Sequence, residues 1–155
     1  MVDLVEELSA LLQRLEAKGV DYALCGGLAM AVYAFPRATV DIDLMIEPES
    51  LPALKSIAQE LGFEFDVGLM TFQSGAVRIH RFTKLPRGEA QALVLDLLLV
   101  TRELRKVWED RRRLPWERGE LSVVSKQGLI ALKSLRRSGQ DEDDIRRLKE
   151  DSHEG

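Results

Sequence analysis

The chain has 155 residues, 45% hydrophobic and 31% charged, with a formal net charge of −4. These values predict one globular domain with enough chain for a real core, and they exclude a uniformly basic nucleic-acid binder without excluding a local basic groove. No apolar run approaches the roughly 20 residues that span a bilayer. The acidic start Met1-Val2-Asp3-Leu4-Val5-Glu6-Glu7 is wrong for a targeting peptide, and the single Cys25 excludes an intrachain disulfide, so a cytoplasmic protein with no membrane contact is expected.

In chain order, Asp3 caps a predicted helix that runs to about Lys18, with Leu4, Leu8, Leu11, Leu12 and Leu15 as its apolar stripe and Gly19 as its stop. Val20 to Cys25 reads as a short strand. Gly26-Gly27 interrupts it, and Leu28 to Tyr33 reads as a short apolar helix that Pro36 ends. Thr39 to Ile46 is a strand closed by Glu47-Pro48, and Ser50 to Leu61 is a second amphipathic helix. Phe63 to Val67 and Val77 to Thr83 are short strands, with a turn at Pro86-Arg87-Gly88-Glu89. Ala92 to Val100 is almost unbroken apolar and predicts a central strand. Thr101 caps a helix expected to reach Arg113, Leu114-Pro115-Trp116 breaks it, and Leu121 to Val124 reads as an edge strand. Ser125 caps a helix to about Arg137, Ser138-Gly139 breaks, and a last helix covers Asp141 to about Glu150. The expected class is α/β (α+β): a mixed β-sheet with helices packed on one side and a short helical C-terminal extension. One domain over 1–155 is expected, with a sheet-containing core at 1–124 and C-terminal helices at 125–150.

Two placements of charge stand out. Asp41 and Asp43 lie two apart in a strand, so they share one face while Ile42, Leu44 and Ile46 share the other. Paired carboxylates repel and resist burial, an arrangement that a divalent cation between them makes favourable. Asp96 is the only charge in its apolar strand. Solvation of Asp41 and Asp43, and an arginine such as Arg78 or Arg81 beside Asp96, would each be an adequate separate explanation. One metal site explains all three aspartates together, and carboxylate oxygens suit magnesium, with manganese as an alternative. Gly26-Gly27 before a helix lets backbone approach a ligand closely, a weak signal alone.

The order Gly26-Gly27, a thirteen-residue gap, Asp41-Ile42-Asp43 and then Asp96 resembles the nucleotidyltransferases of the DNA polymerase β superfamily. The Arg37-Ala38-Thr39-Val40-Asp41-Ile42-Asp43 string and the tail Lys133…Asp141-Glu142-Asp143-Asp144-Ile145 look closest to the minimal AbiEii-like branch, which includes toxins of toxin–antitoxin pairs. The resemblance implies magnesium-dependent transfer of a nucleoside monophosphate from an NTP such as ATP to an acceptor: RNA (especially tRNA), a protein or a small molecule. It implies that Asp41, Asp43 and Asp96 are the metal-binding and catalytic residues, and that Gly26, Gly27, Arg37 and Lys133 contact the nucleotide. Read from the residues alone, Lys133 is equally a surface lysine that snorkels, Arg37 pairs a carboxylate or a phosphate, and Asp141 and Asp144 are helix-cap and first-turn acids. The family's Arg-Asp is Gln140-Asp141 here. An antitoxin partner and a homodimer are further expectations. The rival readings are an NTP-binding regulatory module without turnover and a metal-dependent hydrolase. Arg111-Arg112-Arg113 and Arg136-Arg137 read as solvated helix faces, Cys25 as a small buried residue, and His80 and His153 as lacking ligand spacing.

Overall fold

The computed structural model describes residues 3–33, 41–85, 87–88, 91–136 and 144–150. Helix α1 spans Leu4–Ala17, and the backbone N–H groups of Val5 and Glu6 donate to the Asp3 carboxylate at 3.1 and 3.2 Å, the expected cap. Leu8, Leu11, Leu12 and Leu15 are buried along it. Strand β1 is only Ala23–Cys25, and helix α2, Gly26–Val32, starts on the first glycine rather than at Leu28. Strand β2 is Asp41–Ile46 and helix α3 is Leu51–Glu60. A hairpin follows, β3 at Phe65–Phe72 and β4 at Val77–Lys84, and then β5 at Leu93–Leu99.

Three elements correct the sequence reading. Strand β3 is longer than Phe63–Val67 and lies further along the chain, with a bulge between Asp66 and Gly68 that breaks the alternation pattern. The helix expected to reach Arg113 is short, α4 at Arg105–Glu109, and Arg112–Trp116 forms strand β6. Leu121 therefore lies in β7, Gly119–Val123, which is not an edge: β6 covers it, and Pro115 is tolerated on that outer strand. Ser125 accepts from the N–H of Gly128 at 3.0 Å and caps α5, Lys126–Arg136. Residues 144–150 are helical, whereas Arg37, Asp141 and the Ser138-Gly139 break fall outside the described residues.

The seven strands form one mixed sheet in the order β3-β4-β5-β2-β1-β7-β6. β2 pairs parallel with β5 and β1 parallel with β7; the remaining pairs are antiparallel. Strand alternation then defines two faces. Ile42, Leu44 and Ile46 align with Leu95, Leu97 and Leu99 on one face, and all are buried with the leucines of α1 and with Leu54 and Ile57 of α3. Lys84 pins these helices to that face, donating to Glu7 of α1 and to the Leu61 carbonyl, each at 2.8 Å. The opposite face carries the aspartates, and α5 stands across from it.

Candidate active site

The parallel register of β2 and β5 sets Asp43 beside Asp96, with Asp41 two residues away on the same face. On the far side of Asp96, β4 places Arg81 in register. Its guanidinium grips both Asp96 oxygens, Nε to Oδ1 at 2.8 Å and Nη2 to Oδ2 at 2.9 Å. The geometry is the fork-to-fork pairing that suits arginine and carboxylate. On the near side, β1 sets Cys25 opposite Asp43, so the chain enters α2 at Gly26 directly beside that carboxylate.

Gly26 is required there on two counts. Its φ of +69° favours glycine. A Cβ on it would lie 2.2 Å from Oδ2 of Asp43 and 2.9 Å from the Asp43 Cβ. The missing side chain is thus the space the Asp43 carboxylate fills. Gly27 lines the same cleft.

Electrostatics match this crowding. Burial is the main cause that raises the Asp41 pKa, the Asp96 carboxylate raises it further, and Arg81 opposes both. The bond to Asp96 pushes the Arg81 pKa up. The donors on this face are hard carboxylate oxygens, the chemistry that magnesium selects. Among the described residues, no three His, Cys, Asp or Glu side chains converge as a ready ligand set. Asp41, Asp43 and Asp96 share donor type and register with one another, the two features that a divalent-cation site would need, while Asp96 is held by Arg81.

The third wall is α5. Lys133 lines the cleft from this helix, yet it is 5% exposed and is not a snorkelling surface lysine. Its Nζ lies 2.8 Å from Oδ2 of Asp144, which is fully buried at the start of the 144–150 helix. Asp144 is therefore the partner of a cleft lysine and not an exposed cap. Sequence reading missed this pair, and it missed the apolar half of the cleft. The cleft encloses about 500 Å³, and away from the aspartates its walls are Met70, Phe72, Val77 and Ile79 of the hairpin, Leu98, and Leu129, Leu132 and Leu135 of α5. Gln73, at the hairpin tip, donates its side-chain amide to the Leu135 carbonyl at 2.8 Å and ties the two walls together.

Of the arginines read as helix faces, Arg111 and Arg113 lie outside the cleft and have partners. Arg113 pairs with Glu16 at 2.8 Å, and Arg111 stacks on Trp108 with its guanidinium carbon 4.0 Å from the ring centre. His80 bonds Asp66 at 2.6 Å on the core face. Cys25 is buried at the cleft wall.

No family model matches this chain, and no curated protein matches it by sequence. Solved structures do resemble it. The lincosamide antibiotic adenylyltransferase LnuA, solved with lincomycin bound, is 16% identical over 93% of this chain and 95% of its own, with a TM-score of 0.61. The antibiotic-resistance factor ANT(2'')-Ia, solved with adenylyl-2''-tobramycin, is 13% identical over 94% of this chain and 87% of its own, at 0.64. A Thermotoga maritima protein described as a candidate nucleotidyltransferase is 17% identical over 95% and 93%, at 0.62. The fold of this chain is accordingly the nucleotidyltransferase fold, an α/β mixed sheet.

Proposed function

We propose that this chain transfers a nucleoside monophosphate from an NTP to a hydroxyl acceptor and releases pyrophosphate. One observation carries the reading: Asp43 and Asp96 lie in register beside Asp41, against a glycine whose missing side chain makes room for the Asp43 carboxylate. The nucleotidyltransferase fold supports it. In the reaction the acceptor oxygen attacks the α-phosphorus, the α–β bridging bond breaks, and pyrophosphate leaves. Magnesium, held by Asp41, Asp43 and Asp96, would neutralise the triphosphate and make the acceptor hydroxyl more acidic.

The protein's own groups supply the rest. Asp43 is kept in place by Gly26, and Asp96 is oriented at both oxygens by Arg81. Asp96 accepts the hydroxyl proton as general base. Lys133 and Arg81 are the described cations that line the cleft, and phosphate oxygens would share them with Asp144 and Asp96. Gly26 and Gly27 bring backbone to the triphosphate, and Arg37 contributes from the segment before β2. The donor is ATP or another NTP, and the acceptor is a small molecule, an RNA or a protein.

The test is purified protein with each α-labelled NTP, magnesium and a total cell extract. A labelled acceptor is expected; label found only in free monophosphate would point to the hydrolase rival. One observation favours a second reading, an NTP-binding module without turnover: Arg81 already occupies the third carboxylate. Tight Mg–NTP binding with no pyrophosphate release would select it. Membership of the AbiEii-like branch, a toxin role with an antitoxin partner and a homodimer belong to the same proposal. Growth arrest on expression, relieved by a co-expressed neighbouring gene product, tests the toxin role.

A further inference from the structure

Moving two residues along each strand from the row Asp43–Asp96–Arg81, the next row is Met45–Leu98–Ile79–Met70, and beyond it stand Val77 and Phe72. Adjacent rows on one face are about 7 Å apart, so the cleft passes from carboxylate to hydrocarbon within one side-chain length. The apolar rows run from Leu98 out to the hairpin, on the Asp96 side of the site. Gly26 and Asp43 lie on the opposite side. Phe72, at the outer end, is 48% exposed, a large apolar side chain left beside a concavity. Partly exposed apolar walls with polar groups at one end are the make-up of a small-molecule site.

Charge narrows the occupant. Among the described residues, the cations that line the cleft are Arg81 and Lys133, engaged by Asp96 and Asp144. Among the described residues, no basic track continues along the hydrocarbon end to hold a polyanion such as RNA. That end also carries no described acid to match a polycationic acceptor.

We propose that the apolar end of this cleft is the acceptor subsite, and that the acceptor is a neutral, amphiphilic small molecule whose hydroxyl is presented to Asp96. This rests on the nucleotidyl-transfer reading. The hydroxyl oxygen forms a new bond to the α-phosphorus, pyrophosphate leaves with the electrons of the broken bond, and Asp96 takes the proton. The hydrocarbon part of the acceptor covers Leu98, Ile79 and Phe72.

The full chain is titrated with N-phenyl-1-naphthylamine, a neutral fluorophore that brightens in apolar sites. Probe binding is expected to be displaced by n-octyl β-glucoside below its micelle concentration and unaffected by Mg–ATP. Phe72→Ser and Ile79→Ser should each weaken the probe about tenfold, as expected for losing much of one buried apolar side chain, with ATP affinity unchanged. Thermal melts show that the variants remain folded, and Phe72 is exposed enough to change without touching the core. Displacement of the probe by Mg–ATP would assign the apolar end to the nucleobase and overturn the proposal. Unchanged probe affinity in both folded variants would also overturn it, as would preferential labelling of RNA or of a polycationic aminosugar over neutral hydroxyl amphiphiles. Failure of the wild-type chain to bind Mg–ATP while still binding the probe would instead sink the nucleotidyl-transfer reading, and with it the acceptor role.

Discussion

Replacing Gly26 with alanine attacks the site at its tightest point. Two costs follow from the structure. At φ +69° a side chain enters the left-handed region, which costs about 1–2 kcal/mol. The new Cβ would stand 2.2 Å from Oδ2, 2.7 Å from Cγ and 2.9 Å from Cβ of Asp43. A contact with the Asp43 Cβ cannot be relieved by rotating the carboxylate, so α2 or β2 must shift, and overpacking of this kind costs about 1–3 kcal/mol. The sum is about 2–5 kcal/mol, a large part of the roughly 5–15 kcal/mol that holds a domain folded. Gly19 is the internal control: its φ is +67°, and nothing lies within 4 Å of its would-be Cβ. Gly19→Ala should lose only the first cost. Urea unfolding of both variants, followed by fluorescence of the buried Trp108, gives the two losses by linear extrapolation. Gly26→Ala is expected to exceed Gly19→Ala by about 1–3 kcal/mol. Equal losses would refute the claim that Asp43 fills the space of a missing side chain.

The buried Lys133–Asp144 pair predicts that Asp144→Ala destabilises by about 3–5 kcal/mol, because it removes the carboxylate 2.8 Å from a buried ammonium. The double change Lys133→Met with Asp144→Leu should recover most of that loss in the same urea assay. The raised Asp41 pKa predicts a pH dependence in metal-free protein: the folded state binds its proton more tightly, so stability falls as pH rises from the ordinary aspartate value of 3.8 through the folded pKa. Asp41→Asn should therefore raise the neutral-pH melting temperature, with the gain vanishing in acid; an equal gain at all pH values would contradict it. Arg81 and a cation compete for Asp96, so Arg81→Met should bind Mn²⁺ more tightly than wild type by electron paramagnetic resonance.

The central pair of strands was legible because the signal is local. Ile42, Leu44 and Ile46 alternate with Asp41 and Asp43, and a single charge in the hydrocarbon of β5 marks Asp96. The site's partners are a matter of register. Arg81 is fifteen residues from Asp96, and only the β4–β5 pairing brings them together, although either of two arginines suited the chemistry. Lys133 and Asp144 each have an adequate local explanation, and only their mutual burial reveals the pair. The false helix at Arg111–Arg113 has the same origin. Its residues suit a helix, and β6 exists because it can pair with β7, information absent from the segment itself. The bulged β3 hid its alternation, and with it Met70 and Phe72 of the apolar wall.

The most direct measurement is pyrophosphate release from labelled NTP and acceptor, compared among wild type, Asp43→Asn and Asp96→Asn. These changes keep the side-chain shape and remove the charge that would hold magnesium and accept the hydroxyl proton. Each should lower turnover at least about 100-fold, the lower end for losing a positioned general base. Full turnover in both variants would contradict the assignment of this carboxylate face as the active site.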